Sequence, residues 1–356
     1  MGGAPHFSGY DKKMNFSVCA KRLLEATRSK KIGEIEMIRL VFVVAAVLLC
    51  GAGALAQTYP SKPVRVILPY PPGGSSDPLV RAMAQRLSDA FKVNFVVDNR
   101  PGANGIIGTE ILVKSPPDGY TIALGSTSTM PMNAAIYAKL PYDPLKDFTF
   151  ISSFSFTPLI LVVHPSVPVK TVKEFIALAK AKPNQVVYAS FGVGGVAHFG
   201  AELFSHMAGI KMIHVPYKGS GPSTIDLLAG QVMASFDTMQ NAMPYVRAGR
   251  MRGLGIASLK RSTVAPEIPT VDEAGVKGYE VGTMFGFVAP AGMSRDIVIR
   301  LNAEMGRAVA HPDVTKLMVP VGTEPMHNTP EEFAEIIRKD MPKWAKVARD
   351  ANMRAE

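Results

Sequence analysis

The hydrophobic positions beyond residue 60 fall into short β-rich runs that alternate with stretches of helical period. Apolar runs rich in β-branched residues predict buried strands, and apolar positions spaced by three and four predict helices. The predicted strands are Val64–Leu68, Val93–Val97, Thr121–Leu124, Leu159–Val163, Val186–Ala189 and Met212–Val215. The predicted helices are Leu79–Phe91, Thr109–Lys114, Val172–Ala181, His198–Ala208, Ser223–Ala229, Ser294–Ala310 and Pro330–Ala351.

This alternation predicts an α/β protein built as layers of helices on mainly parallel sheets. A chain of 356 residues is long for one ordinary domain, so we expect two α/β lobes. In such folds the ligand sites gather at the carboxyl ends of the strands. The turns that follow the predicted strands are therefore where function is to be sought.

The pattern of the first 56 residues differs from the rest of the chain. An apolar run from Leu40 to Leu49 follows Arg39 and ends in the small residues of Ala54-Leu55-Ala56. That order is typical of a secretory signal, so we expect residues 1–56 to be removed and the mature protein to be periplasmic. Met1, Met14 and Met37 all remain possible starts. The leucine before Cys50 argues against a lipid-modified cysteine.

Cysteine content and charge exclude several classes of function. Cys19 and Cys50 both lie in the leader, so the mature chain should contain no disulfide, cysteine nucleophile or thiolate metal site. The leader holds 8 of the 39 basic and 4 of the 29 acidic residues, which leaves a charge of about +6. No basic cluster is interleaved with aromatic residues, so no nucleic-acid partner is expected.

The histidines have no metal-ligand spacing, and no nucleophile elbow is present. We therefore expect no enzyme activity, metal or cofactor.

Two glycine-rich turns carry the candidate chemistry. The first glycine turn, residues 70–77, follows a predicted strand and contains Tyr70, Gly73, Gly74, Ser75, Ser76 and Asp77. Ser76 or Asp77 would cap the next helix, and Pro78 suits its first turn. The free backbone N–H groups of a helix start can bind an anion, although a purely structural turn is an equal alternative.

The second glycine turn, residues 190–198, repeats this arrangement further along the chain. It contains Ser190, Gly192, Gly194, Gly195, Ala197 and His198, and it lacks the lysine of a phosphate loop. We expect Gly74 and Gly195 to be required, because only glycine combines a positive φ with close ligand approach. A hydroxyl loop, residues 126–129, and Asp237 also lie at predicted strand ends. The loop offers Ser126, Thr127, Ser128 and Thr129.

These motifs, in their order, resemble the Bug-type substrate-binding proteins of tripartite tricarboxylate transporters. The resemblance extends from Tyr59 to the region of Trp344. Its markers are the first glycine turn and the segments Asn99-Arg100-Pro101-Gly102-Ala103, Pro117-Asp118-Gly119-Tyr120, Leu140-Pro141-Tyr142-Asp143-Pro144, His214-Val215-Pro216-Tyr217-Lys218-Gly219, Asp226-Leu227-Leu228-Ala229-Gly230-Gln231-Val232, Pro269-Thr270-Val271-Asp272-Glu273-Ala274-Gly275 and Ala289-Pro290-Ala291-Gly292.

The resemblance implies a type II periplasmic-binding-protein fold with a ligand cleft between two lobes. Residues 57–160 with 285–356 would form lobe 1, and residues 161–284 would form lobe 2. A small carboxylate would be held by the residues of the two glycine turns, the hydroxyl loop and Asp237. Gly195 stands where the family often has serine, and Met284 lies near a position that is often tryptophan, so the ligand's identity does not carry over.

The implied function is a monomeric receptor that passes its ligand to the membrane permease subunits of a tripartite tricarboxylate-type transporter. One alternative is a receptor that reports its ligand to a membrane sensor kinase. The other is an enzyme on the same two-lobed scaffold, because a fold alone does not fix a function.

Overall fold

The computed structural model describes residues 59–74 and 76–355. The predicted leader 1–56 and its cleavage site, as well as Ser75, lie outside these residues. Ten α-helices are found in the described part. They are α1 Asp77–Phe91, α2 Ile106–Val113, α3 Asn133–Ile136, α4 Val172–Ala181, α5 Val196–Ala208, α6 Ser220–Leu228, α7 Met239–Arg247, α8 Arg295–Ala310, α9 Pro312–Met318 and α10 Pro330–Asp350.

Ten strands make up the sheet of the described chain, which confirms the predicted α/β class. They are β1 Val64–Leu68, β2 Phe95–Asn99, β3 Thr121–Ser126, β4 Phe148–Val163, β5 Val187–Ser190, β6 Ile213–Pro216, β7 Ala234–Thr238, β8 Arg252–Ile256, β9 Gly282–Pro290 and β10 Glu324–Pro325. Their order is β2-β1-β3-β9-β4-β7-β5-β6, and β8 and β10 also pair with β4.

Strand direction differs from the expected mainly parallel sheets. Two groups of strands are parallel. The β1 group is β1 paired with β2 and β3, and the β5 group is β5 paired with β6 and β7. Strand β9 is antiparallel to β3 and β4, and β4 is antiparallel to β7, β8 and β10. The expectation is wrong there because β4 and β9 run directly from one group of strands to the other, without the crossover helix that parallel pairing requires.

The long strand β4 lies between the β1 group and the β5 group. Its first part, Phe148–Pro158, pairs with β9, and its last part, Leu159–Val163, pairs with β7. The change of partner falls close to the predicted exit from lobe 1 near Leu161. The lobe boundaries themselves stay a prediction.

The helices bury apolar faces on both sides of each group of strands. One core lies between β1, β3 and β9 and the helices α1 and α8, and it is centred on Leu68, Met83 and Phe287. Another lies between β5, β7 and the helices α4 and α5, with Phe175 and Phe204 at its centre. Trp344 of the C-terminal helix α10 packs into this second core, with its ring centroid 5.5 Å from that of Phe199.

Local sequence signals set the helix ends. Thr329 opens α10 with a capping box, since its Oγ1 accepts from the N–H of Glu332 at 3.1 Å and the Glu332 carboxylate accepts from the N–H of Thr329 at 2.8 Å. Ser294 precedes α8 without a side-chain capping bond. Within the described residues, no helix is both long and apolar enough to cross a membrane.

Candidate functional site

The first glycine turn is held by Asp77, the first residue of α1. The N–H of Gly73 donates to Asp77 Oδ2 at 3.2 Å, and the Asn99 amide donates to Asp77 Oδ1 at 3.2 Å and to the Tyr70 carbonyl at 3.0 Å. The Arg81 guanidinium donates to both carboxylate oxygens at 3.1 Å. The hydrogen bond from Arg81 is the main reason that the pKa of Asp77 lies below its usual range.

These contacts give Asp77 a structural role in the first glycine turn. Its two oxygens already accept bonds from the turn, from Asn99 and from Arg81, so the carboxylate stabilises the backbone of the turn. Ser76 is the N-cap residue but forms no side-chain capping bond, and Pro78 lies in the first turn of α1 as predicted. Asp77 therefore orders the first glycine turn, and contact of the turn with a ligand stays a prediction.

The hydroxyl loop is closed by bonds between its own members. Thr129 Oγ1 accepts from the N–H of Ser126 at 3.0 Å, and Ser126 Oγ accepts from the N–H of Thr129 at 3.1 Å. Thr127 Oγ1 accepts from the N–H of Met284 in β9 at 3.0 Å. Ser128 begins one turn of π-helix that extends to Met132. All four residues are buried.

Tyr70 joins the first glycine turn to the hydroxyl loop. Its hydroxyl lies 2.7 Å from Ser126 Oγ. Burial raises the pKa of Tyr70 to about 12, and hydrogen bonding to Ser126 and Ser128 lowers it in part. The phenol therefore stays neutral. The structure brings these two predicted groups together, as expected from the carboxyl ends of the neighbouring strands β1 and β3.

The second glycine turn is supported by two stacked histidines. Ser190 Oγ lies 2.6 Å from His214 Nε2, and His198 Nδ1 accepts from the N–H of Gly194 at 3.2 Å. The two imidazole rings stack with centroids 3.8 Å apart. His198 is buried and Ala197 beside it is fully buried. His198, predicted to contact the ligand, thus fixes the backbone of the turn.

Both histidines are neutral near pH 7. Burial lowers the pKa of His198 to about 3, helped by the neighbouring His214, and burial lowers the pKa of His214 to about 4. Neither ring offers a positive charge to an anion. The N–H groups at the start of α5 have no acceptor within the helix and lie at the positive end of its dipole, so they are the groups suited to bind one.

Sequence reasoning missed three residues of this support. His214 in β6 contacts both Ser190 and His198, and Tyr188 stacks on His214 with centroids 4.9 Å apart. The Tyr188 hydroxyl donates to Glu202 at 2.6 Å. The parallel register of β5 and β6, which places Tyr188 opposite His214, was the available signal.

The glycines that adopt a positive φ angle in the two turns are not Gly74 and Gly195, for which it was expected. Gly73, Gly192 and Gly194 have positive φ angles of 75°, 142° and 76°. Gly195 has a φ of −76°, and a Cβ there would lie 3.6 Å from the nearest atom. A Cβ on Gly74 would lie 3.4 Å from the carbonyl oxygen of Pro71. The premise that positions 74 and 195 require a positive φ is therefore wrong.

The second glycine turn lies against residues that follow β2 and β3. A Cβ on Gly194 would lie 2.1 Å from Ile136 Cδ1 and 3.9 Å from the Asn104 side-chain nitrogen. Asn104 donates to the Asn133 side chain at 2.6 Å, which ties these two connections to each other. The second glycine turn thus lies against Ile136, and the positive φ of Gly194 together with this close contact favours glycine there.

Asp237 lies at the end of β7 and is almost completely buried. Its Oδ1 accepts from the N–H of Thr238 at 2.7 Å and its Oδ2 from the Asn241 amide at 2.6 Å. Burial raises the pKa of Asp237 to about 7, although both hydrogen bonds lower it in part. A cavity of about 260 Å³ beside it is lined by the start of α1 at Pro78 and the start of α7 at Thr238 and Gln240.

We expect Asp237→Asn to flatten the pH dependence of stability between about pH 4 and 7. An unfolded aspartate titrates near pH 4 whereas folded Asp237 titrates at about 7, so the folded state holds more protons in between. The free energy of unfolding of the wild type therefore falls as pH rises through this window. Urea unfolding at four pH values measures the difference. Equal slopes for wild type and variant would contradict the shift.

The described part of the chain contains no cluster of acidic, histidine or cysteine side chains able to hold a metal ion. The candidate site residues lie at the ends of β1, β3, β5 and β7, and they offer backbone N–H groups, hydroxyls, neutral rings and the carboxyl groups of Asp77 and Asp237. Such a set can orient and hold a small polar ligand.

Comparison with known proteins agrees with this arrangement. The sequence profile of a family described as "Tripartite tricarboxylate transporter family receptor" matches residues 79–353. Protein BugT of Bordetella pertussis is 35% identical over 320 residues, covering 88% of this chain and 98% of that protein.

Two solved structures show the same fold. R. palustris Rpa4515 with adipate is 33% identical, with a TM-score of 0.74 over 83% of this chain and 99% of that one. MatC from Rhodopseudomonas palustris with bound malate is 29% identical, with a TM-score of 0.71 over 81% and 99%. These similarities confirm the predicted two-lobed fold of periplasmic binding proteins.

Proposed function

The chain belongs to the tripartite tricarboxylate transporter receptors, and we propose that it is a periplasmic protein that binds a small carboxylate and delivers it to the permease subunits of such a transporter. The observation that carries this proposal is its similarity, over more than four fifths of the chain, to receptors solved with adipate and with malate. The family match and the identity to BugT confirm the resemblance to Bug-type receptors that the sequence indicates.

The chemistry of the candidate site supports a carboxylate. The residues predicted for the site include no lysine or arginine, and Arg81 beside the first glycine turn is bonded to Asp77. A carboxylate can instead accept bonds from the backbone N–H groups at the start of α5 and from the hydroxyl loop. The family description favours transport over the sensor-kinase alternative, since it names a transporter receptor.

A thermal-shift screen tests the proposal. Purified protein is incubated with mono-, di- and aromatic carboxylates, including adipate and malate, and with the matched neutral amides. A ligand that binds only the folded state raises the melting temperature by mass action. We expect at least one carboxylate to do so and its amide to have no effect, because helix N-termini favour a negative charge. A larger shift with the amide would contradict the proposal.

The same samples separate a receptor from an enzyme. We expect the bound carboxylate to be recovered unchanged by chromatography after prolonged incubation. Any product would favour the enzyme alternative.

The proposal also includes export of the protein to the periplasm. We propose that residues 1–56 are removed and that the periplasmic protein begins at or near Gln57, works as a monomer and contains no thiol. N-terminal sequencing of protein from the periplasm of the native host checks the cleavage site. A leader still present in that protein would contradict it.

A further inference from the structure

Residues 102–105, which lead from β2 into α2, have a backbone in which four consecutive φ angles are positive. The angles are 130° at Gly102, 46° at Ala103, 51° at Asn104 and 85° at Gly105. Two of these residues carry side chains, and a side chain at positive φ costs free energy that the surrounding contacts must offset. Such strain is concentrated at ligand sites, so the contacts of this positive-φ segment point to what it does.

The positive-φ segment packs against the hydroxyl loop of the candidate site. A Cβ added to Gly105 would lie 2.6 Å from Thr129 Cγ2, so the segment and the loop approach closely. The fully buried Asn133 side chain donates to the Asn104 carbonyl at 3.2 Å and to the Tyr142 hydroxyl at 3.3 Å. Tyr142 in turn donates to the Thr129 carbonyl. A chain of hydrogen bonds therefore fixes the segment to the hydroxyl loop.

The direction of these bonds is set by two backbone carbonyls, which can only accept. The Thr129 carbonyl takes the Tyr142 proton, so the phenol oxygen accepts from the Asn133 nitrogen. The Asn104 carbonyl takes the other hydrogen of that nitrogen, so Asn133 Oδ1 is the acceptor for the Asn104 side-chain nitrogen at 2.6 Å. The Asn104 amide is thereby oriented, and its Oδ1 has no partner among the residues that the structure describes.

The Asn104 amide also lies beside the second glycine turn. Its nitrogen is 3.9 Å from the position that a Cβ on Gly194 would take, and the residue is only half-buried. Gly194 comes shortly before the start of α5, whose first N–H groups are the ones suited to bind an anion. A carboxylate bound at those groups would bring the carbon atoms next to it within reach of Asn104.

We propose that Asn104 is a specificity-determining residue of the carboxylate site, and that its Oδ1 accepts a hydrogen bond from a hydroxyl group that the ligand carries near its carboxylate. This inference rests on the proposed function and narrows the ligand to a hydroxycarboxylate. A neutral oxygen suits this place because it adds no negative charge beside the ligand's own. An ammonium group on the ligand would call for a charged acceptor, and neither Asn104 nor Asn133 is charged. An unsubstituted carboxylate forgoes the bond.

Matched pairs of acids test this inference on the full chain. Calorimetric titration compares propionate with lactate, succinate with malate and adipate with 2-hydroxyadipate, each hydroxy acid as both enantiomers. In the pair that binds best, we expect the better enantiomer of the hydroxy acid to bind about fivefold more tightly than the unsubstituted acid. Equal affinities in that pair, tighter binding of the unsubstituted acid, or no binding in all three pairs would overturn the inference. The proposed function itself fails only if no carboxylate of the wider screen binds, aromatic ones included.

A glycine variant shows whether the preference comes from the Asn104 side chain. Asn104→Gly removes the amide and keeps the backbone, because glycine tolerates a φ of 51°. We expect the preference for the hydroxy acid to fall from about fivefold to about one. If Asn104 had a merely structural role, both affinities would fall by the same factor and the preference would persist, which would overturn the inference.

Asn184→Gly is the matched control for this variant. Asn184 is an exposed asparagine with a φ of 57° in the connection between α4 and β5, so its replacement should leave both affinities and the preference unchanged. Circular dichroism checks that both variants fold. The comparison of the acid pairs in the wild type decides the inference by itself if Asn104→Gly does not fold.

Discussion

Valine at position 194 is expected to weaken carboxylate binding by at least about a hundredfold, equivalent to ~2.7 kcal/mol. Gly194 has a φ of 76°, which a β-branched residue adopts only at a cost of about 1 to 3 kcal/mol. Its Cβ would also lie 2.1 Å from Ile136 Cδ1, so the end of the Ile136 side chain or the second glycine turn would have to shift. We expect the strained backbone at position 194 to displace the turn and its ligand groups.

Three companion variants separate the contact from the backbone strain. Gly195→Ala lies next to the same position with an ordinary φ of −76°, and its Cβ would make only an ordinary contact at 3.6 Å, so it should bind like the wild type. Gly194→Ala should be rescued in part by Ile136→Ala, which removes the clashing atom. Calorimetric titration with the best carboxylate from the screen measures these four variants and the wild type. Wild-type affinity in a folded Gly194→Val protein would show that the turn does not form the site.

Removing the Trp344 side chain is expected to lower the free energy of unfolding by about 3 to 5 kcal/mol. This side chain is 1% exposed and packs edge to face against Phe199 of α5 in the core of the β5 group. Trp344→Ala would leave a large void there, and α10 would lose its main attachment to that core. Val347 and Ala348 of the same helix belong to the same core, so they would be loosened as well.

Urea unfolding followed by far-ultraviolet circular dichroism measures this effect, since the variant has no tryptophan fluorescence. Trp344→Phe, which keeps an aromatic ring beside Phe199, should lose clearly less stability. A change below about 1 kcal/mol in Trp344→Ala would mean that the helix end contributes little to the core.

The sequence predicts the regular parts of this fold well for a physical reason. Val64–Leu68 and Leu159–Val163 are apolar runs that become buried strands, so their pattern and their environment agree. The first part of β4 escaped prediction because Ser152, Ser153 and Ser155 are polar yet fully buried. Ser152 and Ser153 are satisfied by Asn328, which lies far away in sequence. No local pattern reveals such a partner.

The candidate site shows the same division between local and distant information. The two turns and the hydroxyl loop lie at strand ends as predicted, because strand-to-helix turns have a local signature. The supporting role of Asp77 follows from its bonds to Arg81 and Asn99, and that of His198 from its stacking on His214. Which glycines need a positive φ depends on the path of each turn, which spacing alone does not define.

A crystal structure of the protein with the best-binding carboxylate tests the central claim most directly. We predict that the ligand lies between the two glycine turns, with its carboxylate oxygens within hydrogen-bonding distance of backbone N–H groups at the start of α5 and of hydroxyls in residues 126–129. A carboxylate held instead by lysine or arginine side chains, or found outside the space between the two turns, would contradict the account.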